Sequence, residues 1–348
     1  MRLSDYTTVR LGGRARCFVR AGTEEDLIEA VRAAEDGGEP MLILGGGSNL
    51  VVADDGFDGT VIQVATKGMR QHGAPGLVTV PAGEDWDAVV AWTVDAGLAG
   101  LECLSGIPGL AGATPIQNVG AYGQEVAETI TAVRTYDRVT GQIGIIPHER
   151  CGFGYRTSVF KRDEARRHVV LSVTFQLAVQ SLSAPVRYAE LASALGIEIG
   201  DQVASAEVRS AVIELRRRKG MVLDSADPDT RSVGSFFVNP VLNGAALAVV
   251  EAAARARCGD RTRVPRFDAG DGLVKVPAAW LIERAGFGKG YSLGDGARIS
   301  SKHTLALVNH ESATTAGLIA LARRIRDGVR DAFGVSLAPE PVLVGVTL

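Results

Sequence analysis

The sequence predicts an α+β protein of two or three domains. Three observations point that way. A helix, a strand and a glycine-rich turn follow one another within the first 50 residues; strand patterns dominate from about residue 60 to 177; and the remainder mixes helical faces with short strands. At 348 residues, 46% of them hydrophobic, the chain can bury a large core.

Residues 1–22 offer short alternating segments. Thr23 then caps a helix: Asp26 stands three residues on, Leu27, Ala30, Val31 and Ala34 share one face, and Gly37-Gly38 ends it. Met41-Leu42-Ile43-Leu44 reads as a buried strand running straight into Gly45, Gly46, Gly47, Ser48 and Asn49, an order that places a ligand at the carboxyl end of a strand. It is not the dinucleotide fingerprint, because Val51 and Val52 continue as strand and turn where that motif opens a helix. Strands at 60–64 and 77–81 precede a helix with Trp86, Val89, Val90, Thr93 and Val94 inward, ended by Gly97. Further strands are expected at 130–137 and 142–147, a turn at 151–154, a basic loop at 161–167, and an apolar, buried strand at 169–177.

Val208, Ala211, Val212 and Leu215 line a helix ending in Arg216-Arg217-Arg218-Lys219. That cluster reads as a solvated helix end that suits the dipole, or as a phosphate holder. Beyond it come Gly234-Ser235-Phe236-Phe237-Val238-Asn239-Pro240, a helix near 278–285 and a strand at 304–309. A helix capped by Ser312 follows, with Leu318, Leu321, Ile325, Val329 and Phe333 inward. Pro339-Glu340-Pro341 sets a carboxylate at the mouth of a buried strand, 342–346.

The segment most suited to a ligand is 104–123, LSGIPGLAGATPIQNVGAYG, which carries no formal charge. Gly106, Gly109, Gly112, Gly120 and Gly123 let backbone N–H groups approach an anion, Pro108 and Pro115 stiffen the turns, and Gln117 and Asn118 add donors and acceptors among apolar neighbours. A surface linker would be richer in serine and charge.

The net charge of −3 gives no sign of a nucleic-acid or membrane-surface protein. Cys17, Cys103, Cys151 and Cys258 are scattered without histidine at ligand spacing; they read as reduced thiols, and no metal is expected. No stretch has the length of a membrane span, and the first residues lack a leader's apolar region, so a cytoplasmic location is expected.

GGGSN at 45–49, the 104–123 segment, FGYRTSVF at 153–160, GSFFVNP at 234–240 and APEP at 338–341 occur in order. Together they resemble the UDP-N-acetylenolpyruvoylglucosamine reductases, flavoenzymes of peptidoglycan synthesis, over essentially the whole chain. The resemblance implies a two-lobed FAD-binding region of the vanillyl-alcohol oxidase type, with lobes at 1–65 (joined by a C-terminal strand, 335–348) and 66–204, and a substrate domain at 205–334. It implies non-covalent FAD held by Leu44, Gly45, Gly46, Gly47, Ser48, Asn49, Leu50, Ser105, Gly106, Ile107, Pro108, Gly109, Gly112, Ala113, Thr114, Gln117, Asn118, Gly120, Ala121 and Val170. NADPH would be the reductant and the enolpyruvyl ether of UDP-N-acetylglucosamine the substrate. Arg156 matches the family's catalytic arginine, Ser235 its proton donor and Glu340 its catalytic carboxylate. Tyr122, Tyr188, Lys219, Asn239, Lys275 and His303 fall at substrate contacts, although His303 replaces a glutamine of some members and Val342 an arginine. A monomer is expected.

Read without the resemblance, each catalytic candidate has an ordinary counterpart: a capping serine, a structural arginine, a strand-end glutamate. Two other function classes compete. A flavin oxidase of this fold often attaches FAD through His or Cys, and the 104–123 segment has neither. A non-catalytic nucleotide-sugar binder has no use for Arg156, Ser235 and Glu340 together.

Overall fold

The structure, a computed structural model, describes residues 1–162 and 167–348; the middle of the basic loop read at 161–167 lies outside the described residues. The chain divides into two compact units. One comprises Met1, Ala15–Gly46 and Asp58–Val222; the other comprises Arg2–Arg14, Gly47–Phe57 and Leu223–Leu348.

In the first unit, helix α1 (Glu24–Asp36) opens on a reciprocal cap. Thr23 Oγ1 accepts the Asp26 N–H at 3.0 Å, and the Asp26 carboxylate accepts the Thr23 N–H at 3.1 Å. Leu27, Ile28, Val31 and Ala34 are its buried face, with Ile28 taking the place expected of Ala30. Strands Ala15–Ala21, Phe57–Val64 and Met41–Leu44 form a three-stranded sheet in that order, and Met41–Leu44 runs parallel to its neighbour with Met41 opposite Thr60. A five-stranded antiparallel sheet follows in the order Gln142–Pro147, Ile130–Asp137, His168–Gln176, Leu77–Pro81, Arg70–Gln71. Val169, Val170, Leu171, Val173 and Phe175 bury against the same core as Trp86, Val89 and Val90 of α2 (Trp86–Asp95). After the single-turn α3 (His148–Cys151) come α4 (Ala189–Leu195) and α5 (Ser205–Arg218). Val208, Val212 and Leu215 of α5 pack with Cys103, Val186, Leu191 and Ala192, which ties α5 into the first unit.

The second unit holds α6 (Gly244–Cys258), α7 (Ala278–Arg284), α8 (Thr315–Phe333) and an antiparallel sheet of Ser232–Ser235, Ala306–Asn309 and Ala297–Ile299. Helix α8 starts later than Ser312. Thr314 Oγ1 accepts the Gly317 N–H at 3.0 Å, while the Thr315 and Ala316 N–H groups donate to the Asp54 carboxylate at 2.8 and 2.9 Å. A carboxylate far away in sequence thus decides which hydroxyl caps the helix. The C-terminal strand, Val342–Val344, lies parallel to Leu50–Val52. It is not the buried strand expected: Val342 is 52% exposed, and Leu343 and Val344 are partly so. Among the described residues no helix is long and apolar enough to cross a membrane.

Candidate active site

Strand Met41–Leu44 delivers Gly45 and Gly46 to the glycine-rich segment 104–123. A Cβ on Gly46 would stand 2.8 Å from the Gly109 Cα, so the two glycine segments meet backbone to backbone with no room for a side chain. The longer segment is laid along residues 82–87. Gly112 donates to the Ala82 carbonyl at 3.0 Å, Ala111 to Glu84 at 2.9 Å, and Trp86 to Gly109 at 3.0 Å, while the Trp86 indole N–H holds the Leu104 carbonyl at 3.1 Å. The two segments thus form one surface of closely apposed backbone, the cradle.

Asp87 anchors the turn at Gly106. It accepts the Gly106 N–H at 2.6 Å and the two Arg209 Nη donors at 2.6 and 2.9 Å. Burial pushes its carboxyl up, but the bonds from Arg209 and Gly106 outweigh that and hold it below its ordinary value. Its contribution is therefore present above the unfolded carboxylate range and lost as pH falls through the depressed value. Asp87→Asn is expected to cost about 1 kcal/mol at neutral pH, since solvent reaches part of the pair. Melting curves for both proteins check this: the gap between them should close below about pH 4.

Backbone strain gathers here. Asn118 (φ 46°), Tyr122 (φ 49°) and Arg156 (φ 53°) are three of the five non-glycine residues with positive φ among those described. Asn118 is held on all sides: its amide donates to Glu125 Oε2 at 2.6 Å and to the Gly154 carbonyl at 3.2 Å, and its oxygen accepts the Ala127 N–H at 3.1 Å. The Arg156 guanidinium donates to the carbonyls of Gly120 (3.1 Å) and Asn118 (3.5 Å), which pins a cation to the end of the cradle. Tyr122 meets Tyr188 edge to face, centroids 5.5 Å apart, and Lys219 Nζ lies 5.5 Å from the Tyr122 ring.

The basic run 216–219 is not one solvated cluster. Arg217 and Arg218 are exposed and pair with Glu214 at 3.3 and 2.9 Å. Arg216 turns inward: its Nε is buried, its Nη2 donates to the Met221 carbonyl at 2.9 Å, and a Cβ on Gly106 would lie 3.5 Å from that Nε. Burial pulls the guanidinium down to about 10 against the pull of Tyr122 and Asp87, and the charge of Arg156 pushes the same way as burial. The signal was available, because 216 is four residues past Val212 on the buried face.

In the second unit Ser235 ends strand Ser232–Ser235, whose pairing with Ala306–Asn309 slips between Ser232 and Ser235. Gly234 at φ 75° makes that bulge, and a Cβ there would meet nothing. Phe236 and Phe237, directly after the strand, are fully buried in the core with centroids 5.1 Å apart, and so anchor its end. The Glu340 N–H donates to the Phe236 carbonyl at 2.9 Å, and the Asn49 amide donates to the Glu340 carbonyl at 3.3 Å. Ser235, Glu340 and Asn49 are thereby brought onto adjoining backbone, whereas Arg156 belongs to the first unit. The Asn239 side-chain oxygen accepts the N–H of Ala278, the first residue of α7, at 2.8 Å. Lys275 pairs across from Val241, and His303 sits in the turn before Ala306. Val170 is buried in the sheet opposite Thr135.

Family models match two stretches: an FAD binding domain over residues 15–144, and the C-terminal domain of UDP-N-acetylenolpyruvoylglucosamine reductase over 227–344. The reductase of that name from Saccharopolyspora erythraea is 57% identical, over 99% of this chain and 95% of its own length. That from Thermobifida fusca is 53% identical, over 99% and 97%. The chain belongs to the UDP-N-acetylenolpyruvoylglucosamine reductase family. It is an oxidoreductase with an FAD-binding domain. The crystal structure of the Thermus caldophilus reductase covers 99% of this chain and 97% of its own at a TM-score of 0.66 and 26% identity. Within this reductase both glycine segments lie in the FAD-domain match and Ser235 and Glu340 in the C-terminal match; Arg156 falls between the two.

Proposed function

We propose that this reductase converts the enolpyruvyl ether of UDP-N-acetylglucosamine to UDP-N-acetylmuramate with NADPH as electron donor, acting as a cytoplasmic monomer in peptidoglycan synthesis. The observation that carries the reading is the backbone link between the segments of Ser235 and Glu340, which sets a hydroxyl-bearing and a carboxylate-bearing residue on adjoining backbone next to a positive-φ glycine.

FAD would be held by the backbone of Gly45, Gly46 and the 104–123 segment, and when bound supplies the two-electron carrier between nicotinamide and enol ether. The chain's own residues do the rest. Arg156 takes the substrate carboxylate and offsets the negative charge that builds beside it when the β-carbon accepts hydride. Ser235 hands a proton to the α-carbon, and Glu340 orders the polar groups around that transfer. Tyr122, Tyr188, Lys219, Asn239, Lys275 and His303 hold the nucleotide sugar.

A covalent oxidase is disfavoured at the one cysteine near the cradle. Burial, with Glu102 and Glu128 adding to it, pushes the Cys103 thiol up to about 12, so it offers no thiolate for attachment. The purified protein is expected to be yellow, to bleach on adding NADPH without air, and to recover colour on adding the enolpyruvyl substrate. Recovery with air alone, or no bleaching, would overturn the assignment in favour of an oxidase or a binding protein.

A further inference from the structure

Lys219 has its anion already. Its Nζ lies 2.6 Å from Glu190 Oε2, in the first turn of α4, directly after Tyr188, the residue that precedes that helix. The same carboxylate faces both tyrosines: burial raises Tyr122 to about 12, and burial likewise raises Tyr188, with the charge of Glu190 adding to each. Lys219 in turn sits over Tyr122, and Tyr122 against Tyr188. Three side chains read as nucleotide contacts therefore close around one protein carboxylate.

We propose that Glu190 is an internal competitor for Lys219 that sets how tightly the site holds a nucleoside diphosphate. The inference rests on the reading of Lys219 as a diphosphate contact. A diphosphate that reaches Lys219 either takes the ammonium from Glu190 or shares it, and in both cases a like charge stays close by. Two unit charges ~4 Å apart repel by an amount worth roughly fivefold in affinity even in bulk water. The ion pair is partly exposed, at 32% and 40% of the two side chains, so it opens at small cost and still opposes every incoming anion. In a reaction that admits NADPH and a UDP-sugar in turn, such a carboxylate keeps both diphosphates exchangeable.

Calorimetric titration of the FAD-loaded protein with UDP, and separately with NADP+, tests this. Glu190→Gln keeps the shape and removes the charge; it is expected to lower both dissociation constants roughly three- to fivefold at low salt, with a smaller gain at high salt. Lys219→Met should weaken UDP, and Glu190→Gln added to Lys219→Met should gain less than Glu190→Gln alone, because only the direct repulsion is then left to relieve. Glu214→Gln, on the outward face of α5 where it pairs with Arg217 and Arg218, should leave UDP binding as it is. An unchanged or weaker Kd in Glu190→Gln overturns the proposal, since a positioning role for Glu190 predicts loss. A gain that is undiminished without Lys219, or that Glu214→Gln reproduces, overturns it too. If Lys219→Met leaves UDP binding intact, the reading of Lys219 itself fails, which is a separate outcome.

Discussion

Ser235→Ala is expected to leave bleaching of the bound flavin by NADPH nearly intact and to slow its return of colour with the enolpyruvyl substrate by ~10²–10⁴-fold. In the proposed reaction the first half moves hydride from nicotinamide and asks nothing of a serine hydroxyl, while the second leaves negative charge at a carbon that must be protonated. Gly234 beside the serine has φ 75° and open space where a Cβ would stand, and Phe236 and Phe237 secure the strand from the core side without help from the hydroxyl. Removing one oxygen is therefore expected to leave the fold unchanged. Ser235→Cys should restore part of the rate, because a thiol is the stronger acid at similar reach. Rapid mixing of each half-reaction separately decides it: equal slowing of both would mean that Ser235 shapes the pocket and does not supply the proton.

Gly45→Ala is expected to fold normally and to weaken FAD at least tenfold, about 1.4 kcal/mol. The choice of glycine matters. At Gly47, φ is +61° and a Cβ would fall 1.9 Å from the Tyr6 carbonyl; at Gly112 it would fall 2.4 Å from the Ala82 Cβ. Substitution at either wrecks local packing, and loss of colour would then say nothing about the cofactor. Gly45 has no such constraint: its Cβ would meet only the Leu110 side chain at 3.8 Å, an ordinary contact. Gly46→Ala, pressed against Gly109, should lower Tm of the FAD-free protein as well as affinity. Flavin titration and melting of the FAD-free variants separate the two effects. Full affinity in Gly45→Ala would remove that turn from the cofactor's surface.

Local chemistry made much of this protein legible from its sequence. The Thr23–Asp26 cap, the strand running into GGG, and the strands at 130–137 and 142–147 rest on contacts within a few residues or on side-chain alternation, and the structure has them where the pattern put them. The ordered motifs carried the family and its FAD-binding domain. Helix α6 escaped notice because its alanines surround the axis and leave little contrast between faces. The cap of α8 depends on Asp54, some 260 positions away, and no local rule chooses Thr314 over Ser312. The same holds for charge. Four basic residues in a row look alike as letters, yet Arg216 lies under the cradle, Arg217 and Arg218 face water, and Lys219 meets Glu190. Sequence determines which groups are present and their spacing along one element. Which partner each charge finds, and how much water remains around it, depends on chain segments distant in sequence, and only the folded backbone decides that.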